Sequence, residues 1–132
     1  MQLLLDTHVL LWWMTDEERL SRSQREALDR AEGSEERLGV SAMTFWEIAK
    51  LLERGRLRLP RAVDPLFNDL ETHPQIELFP LTPQIALEST RLGPKFHTDP
   101  ADQIIAATAR VHGLRLVTAD QRIRKSGVVA LV

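Results

Sequence analysis

The sequence predicts an α/β fold, a three-layer α/β/α sandwich around a mainly parallel central sheet. Short apolar runs such as "QLLLD" (2–6) and "RLVTA" (115–119) alternate with stretches of helical period. The runs are continuously apolar rather than alternating, which means burial on both faces. Strand, helix and strand in succession imply right-handed crossovers, and ligands then sit beyond the carboxyl ends of the strands.

The elements follow in order. "QLLLD" (2–6) reads as a buried strand, with "THVLLWWM" (7–14) as the helix after it. "SQREALDRAEG" (23–33) reads as an exposed helix ended by Gly33. "RLGVS" (37–41) is the second strand, and "MTFWEIAKLLERG" (43–55) a helix closed by Gly55. "VDPLFNDLETH" (63–73) is a helix with Pro65 near its first turn, and "IELFP" (76–80) the third strand. "TPQIALESTRL" (82–92) has Thr82 as N-cap and Pro83 at the first helical position. After the loop "GPKFHT" come a helix from Pro100 to about His112, the strand 115–119, a short helix from Asp120, and "VVALV" (128–132) as a last strand.

A chain of 132 residues fits one compact domain, 1–132, which buries roughly two-thirds of its unfolded surface without a staple. It has no cysteine, which excludes disulfides, thiolate zinc sites and cysteine nucleophiles, and suits a reducing cytosol. "HVLLWWM" (8–14) lacks a preceding basic region, so no signal peptide is expected. No run approaches the roughly 18 apolar residues of a membrane span. The net charge of −2 excludes a bulk polycation, so nucleic-acid binding would need a local basic patch or a metal.

The carboxyl edge gathers acids. Asp6 ends the first strand and Asp120 follows the fourth. Asp102 lies in the first turn of the helix that opens "DPADQIIAATA" (99–109), and Glu47 in the second turn of the helix after strand two. Each has a plainer account. Asp99 before Pro100 reads as an N-cap, and Asp64 before Pro65 repeats that pattern. Asp6 and Asp120 are each balanced between cap and site. Asp102 shares the stripe Asp102, Ile105, Ala106, Ala109, a packed face on which an unpaired carboxylate costs several kcal/mol. By period alone Glu47 lies opposite the apolar face Phe45, Ile48, Ala49 and Leu52, and pairs in solvent with Lys50. Several carboxylates crowded together need a cation, and hard oxygen ligands favour Mg²⁺ or Mn²⁺ over zinc. Such a centre serves phosphate chemistry.

In this order and spacing, "LLLDTHVLLWW", "VSAMTFWEIAKL", "HTDPADQIIAATA" and "LRLVTAD" resemble the PIN-domain ribonucleases, most of all the VapC-type toxins of toxin–antitoxin pairs. The resemblance runs from Met1 to about Val129. It implies that Asp6, Glu47, Asp102 and Asp120 match the acidic quartet that binds one or two Mg²⁺ or Mn²⁺ ions. It also implies supporting places for Thr7, Ser41, Asp99 and Thr118. Glu47 enters the site on this resemblance, not on its spacing. The implied reaction is hydrolysis of an RNA phosphodiester by metal-activated water, with no histidine base. The implied partners are a separately encoded antitoxin and a second copy of the chain, in the cytoplasm, with no membrane.

Other residues carry weaker signals. His97 and His8 lie beside the acids, and His73 and His112 at helix ends. Trp12, Trp13 and Trp46 read as core or interface before base-stacking platforms. "ERGRLRLPR" (53–61) and "RIRK" (122–125) are candidates for an RNA-facing patch or for solvated basic surface. A receiver-like signalling module also gathers acids at this edge, but it wants an acidic pair after strand one, where only Asp6 stands, and a lysine placed otherwise than Lys125. A haloacid-dehalogenase-type phosphatase wants Asp-x-Asp where this chain has "DTH". A catalytically silent PIN-like binding protein is the remaining alternative.

Overall fold

The computed structural model describes residues 1–132. Four strands form one sheet: β1 (Leu3–Leu5), β2 (Leu38–Ser41), β3 (Ile76–Phe79) and β4 (Arg115–Val117). Their spatial order is β3-β2-β1-β4 and all pairs are parallel. Leu4 stands beside Gly39 on one side and Leu116 on the other. The chain builds outward from β1 to β3, then returns to the far side of β1 to lay down β4. The crevice beyond β1 and β4 is therefore the switch point where this topology opens a site.

Alternate residues of β1 serve opposite faces, as the period of a strand requires. Leu3 and Leu5 join one core with α1 (Thr7–Thr15), α2 (Arg22–Glu32), α3 (Ala42–Glu53) and α4 (Val63–Thr72). Its centre is Val9, Leu10, Leu28, Ile48, Leu66 and Leu70, each 1% exposed or less. Leu4 joins a second core with Ile105, Ala106 and Ala109 of α6 (Pro100–His112) and Ile123 of α7 (Gln121–Ser126). Between β3 and α6 lies α5 (Pro83–Ser89), whose Glu88 pairs with Arg110 at 3.0 Å. Two helical layers thus cover a sheet buried on both faces, the expected sandwich. No helix is long and apolar enough to cross a membrane.

The helix ends follow local chemistry. Thr82 caps α5 with Pro83 at its start, as its sequence predicts. Asp99 caps α6, Pro100 follows, and Gly113 closes that helix at φ 65°, a conformation suited to glycine.

Four expectations need correction. Residues 128–132 are not a strand: a single bridge joins Leu131 to Leu116, because β4 ends at Val117 and leaves no longer edge to pair with. Asp64 is not a cap: α4 starts from Ala62, and Pro65 occupies its first turn, where amides lack helical acceptors anyway. Residues 22–32 are not simply an exposed helix, since Gln24, Ala27, Leu28 and Ala31 are buried. Helix 82–92 stops at Ser89.

Gly39 sits in β2 between Leu4 of β1 and Glu77 of β3. A Cβ there would lie 2.9 Å from the Phe79 ring and 3.1 Å from the Leu3 carbonyl oxygen. Gly39→Ala is therefore expected to lower stability by about 1–3 kcal/mol through overpacking. Chemical denaturation measures it, and an unchanged midpoint would contradict the close approach.

Candidate metal centre

The carboxyl edge holds an open pocket of about 270 Å³ lined by Asp6, Glu47, Asp99, Asp102 and Asp120, with His8, Trp12, Ala119 and Arg122 on its rim. Five acids from four stretches of chain meet there because β1 and β4 deliver Asp6 and Asp120 side by side, while the start of α6 presents Asp99 and Asp102 and α3 presents Glu47 from the flanks.

Asp6 is only 5% exposed, and both its oxygens are engaged. Oδ1 accepts the Thr7 amide at 2.8 Å, so the residue caps α1. Oδ2 accepts the Thr118 hydroxyl at 2.6 Å. Thr118 is fully buried, and its hydroxyl oxygen accepts the Asp120 amide at 3.0 Å. Burial raises the Asp6 carboxyl above its usual range, against the pull of the Thr118 hydroxyl and the Thr7 amide. Removing the Thr118 hydroxyl in Thr118→Val leaves a buried acceptor bare. A loss of about 1–3 kcal/mol is expected by denaturant titration. A variant as stable as the parent would show that this bond is dispensable.

Glu47 is half-buried and accepts a hydrogen bond from the Thr7 hydroxyl, which lies 3.3 Å from that of Thr44. Burial raises its carboxyl also. The periodicity argument for a solvated Glu47 fails here. Ala49 is exposed, Thr44 is buried, and the inward stripe is Thr44, Glu47, Ile48, Leu51. Lys50 pairs with Glu53 at 3.2 Å instead.

Asp102 is 6% exposed on the packed side of α6. Its Oδ2 lies 2.6 Å from His97 Nε2. Burial pushes its carboxyl up to about 7, opposed by the His97 hydrogen bond and reinforced by the charges of Asp6, Asp99 and Glu47. Asp99 is exposed and accepts the Asp102 amide at 3.1 Å, the cap its position before Pro100 suggests.

Asp120 differs from the other three. Its Oδ1 caps α7 by accepting the amides of Arg122 and Ile123 at 2.8 and 3.3 Å. Partial burial works to raise its carboxyl, but the Arg122 side chain and these two amides prevail and hold it below the usual range. Asp6 and Asp120 are thus caps and pocket walls at once. Ser41 is buried and caps α3 through the Met43 amide at 3.1 Å.

Two sets of atoms lie close enough to share one ion. Asp6, Glu47 and Asp102 offer oxygens within 4.8 Å of one another, and so do His97, Asp102 and Asp120. The first set consists of hard oxygens that burial drives toward neutrality, a donor set that fits a small divalent cation.

The structure also places residues that sequence reasoning weighed lightly or missed. His97, a loop residue by sequence, touches Asp102. Arg122, one of four residues in a basic run, reaches the acids, whereas Arg124 binds the Thr118 and Val132 carbonyls at 3.1 Å. Arg54, Arg56 and Arg58 are exposed, and Arg61 pairs with Asp69 at 2.7 Å. His8 is exposed on the pocket rim. Trp12 and Trp13 pack partly on the first core, while Trp46 is 44% exposed. Gln24 was missed altogether. It donates to the Thr118 carbonyl at 3.1 Å while closing a capping box with Ser21. The spacing Ser-x-x-Gln was its available signal.

A parallel sheet of this order with acids at its switch point is the arrangement expected of a PIN-type fold. The sequence profile of the PIN domain matches residues 3–128, and the chain belongs to the PIN domain family. Among its relatives is a protein of the VapC type. Ribonuclease VapC22 of Mycobacterium tuberculosis (strain ATCC 25618 / H37Rv) is 38% identical over 121 residues, 92% of this chain and 88% of that relative. Among solved structures, FitAcB from Neisseria gonorrhoeae superposes with a TM-score of 0.67 at 23% identity, over 98% of this chain and 96% of the other. VapBC2 from Rickettsia felis, bound to a DNA fragment from its promoter, gives 0.69 at 14% identity, over 100% and 98%. These structures support the fold. The receiver-like and phosphatase alternatives fall with this family membership.

Proposed function

We propose that the chain is a VapC-type toxin of a toxin–antitoxin pair, an endoribonuclease that depends on Mg²⁺ or Mn²⁺. Residues 1–132 would act as one nuclease domain, in the cytoplasm, as a homodimer held in check by a cognate antitoxin. The observation that carries the metal dependence is the set Asp6, Glu47 and Asp102, with oxygens within 4.8 Å and carboxyls raised by burial. The ribonuclease activity of the 38% identical relative supports the substrate class.

In this reading Asp6, Glu47 and Asp102 hold the principal ion and Asp120 borders it. The ion supplies Lewis acidity toward water and toward the phosphodiester oxygens. The chain's own residues fix the acids. Thr118 orients Asp6, Thr7 orients Glu47, and His97 orients Asp102. The amino ends of α1, α6 and α7 face the pocket through their caps Asp6, Asp99 and Asp120, and their partial positive charge favours these carboxylates in the ionised form that binds a cation.

The test is incubation of purified protein with total cellular RNA in Mn²⁺ or Mg²⁺, with and without EDTA, alongside calorimetric titration of the metal. Metal-dependent cutting supports the reading. No cutting and no metal uptake would replace it with a silent binding module.

A further inference from the structure

Arg122 lies against one half of the acid cluster only. Its Nη2 is 3.0 Å from Asp120 Oδ2 and 3.7 Å from Asp102 Oδ2. Its Nε is 3.4 Å from Asp120 Oδ1. Those are the two carboxylates of the second set of ligand atoms, the one completed by His97. Arg122 makes no contact of this kind with Asp6 or Glu47. A guanidinium forked onto one aspartate and reaching a second neutralises them with a fixed positive charge. A divalent ion at the same place would meet that charge at close range and would have to displace it. His97 adds to this: its Nε2 is already engaged with Asp102 Oδ2, and its Nδ1 is buried without a hydrogen-bond partner.

Resting on the metal-dependent reading above, we propose that this chain takes one divalent ion, at Asp6, Glu47 and Asp102, and that Arg122 stands in the place of a second. Arg122 Nη1 makes no hydrogen bond to the protein, and the side chain is 62% exposed. The same guanidinium therefore keeps free N–H donors at the open side of the pocket, where a phosphate oxygen of the substrate can accept them. One residue then does both tasks of a second ion. It neutralises Asp102 and Asp120, and it meets the anionic substrate.

The experiment is calorimetric titration of Mn²⁺ into the whole chain, with electron paramagnetic resonance to detect spin-coupled ion pairs. Wild type is expected to bind one ion without a coupled signal. Arg122→Ala, a change at an exposed side chain, is expected to raise the stoichiometry to two, with a coupled signal. Adding Asp120→Asn to that variant should return it to one. Two ions in wild type, one ion in Arg122→Ala, or two in the double variant would each overturn the assignment. No ion in wild type, or uptake unaffected by Asp102→Asn, would overturn the metal-dependent reading itself.

Discussion

Asp102→Asn is expected to abolish metal-dependent RNA cleavage, by about a thousandfold or more, while the protein stays folded. Asp102 is the acid common to both sets of ligand atoms. Charge stabilisation by a bound ion contributes several kcal/mol, and about 4 kcal/mol corresponds to a thousandfold in rate. The residue caps no helix, so the substitution removes no capping bond. Asn keeps the shape and leaves an oxygen to accept from His97. It also removes a carboxyl that burial disfavours in its charged form. Without metal at pH 8 the variant should therefore melt no lower than wild type. Circular dichroism and a cleavage assay with Mn²⁺ read both halves. Cutting at the wild-type rate would show that Asp102 is not part of the centre.

The second large effect is on stability. Asp6, Glu47 and Asp102 all have carboxyls raised in the folded state, with burial as the main cause. Over the range from about pH 4 to about pH 7, folded Asp102 holds a proton that the unfolded chain has lost. The folded state binds more protons there, so stability falls as pH rises, by at most about 1.4 kcal/mol per pH unit for each group. Metal-free protein should thus be most stable near the acid end of this window and level off above it. A divalent ion favours the ionised acids and reverses the slope. At about a hundred times its dissociation constant it adds about 2.7 kcal/mol. Thermal melts at pH 5 and pH 8, with EDTA or Mg²⁺, measure the four corners. Metal-free protein more stable at pH 8 than at pH 5 would rule out this account.

Much of the fold was legible because its signals are local. Continuous apolar runs marked β1 to β4, and Thr82-Pro83 and Asp99-Pro100 marked helix starts. The tail 128–132 misled because it is as apolar as a strand; what it lacks is a neighbour, since β4 is three residues long. Asp6, Asp102 and Asp120 could be placed at one edge from topology alone. Topology brings Glu47 to that edge too, but its period turns it to solvent, because the period takes Ala49 as core and leaves out Thr44. Thr44 is buried for a tertiary reason, its hydroxyl meeting Thr7 across the β1 and β2 crossovers. His97 and Arg122 depend on the path of a loop and the reach of a long side chain, which no period encodes. The choice between cap and site was itself too narrow for Asp6 and Asp120, since one carboxylate oxygen can serve a helix end while the residue still walls a pocket.

That double duty divides the acids by what a random change does to them. Replacing Asp6 or Asp120 by a residue that cannot cap removes a helix cap along with a pocket acid, and the chain becomes prone to unfolding and proteolysis. Replacing Glu47 or Asp102 leaves every cap in place. If the chain is harmful to its host, folded but inert copies arise mainly by changes at those two positions. Under the proposed toxin reading such copies would still occupy an antitoxin, so the position changed would decide whether that partner stays sequestered.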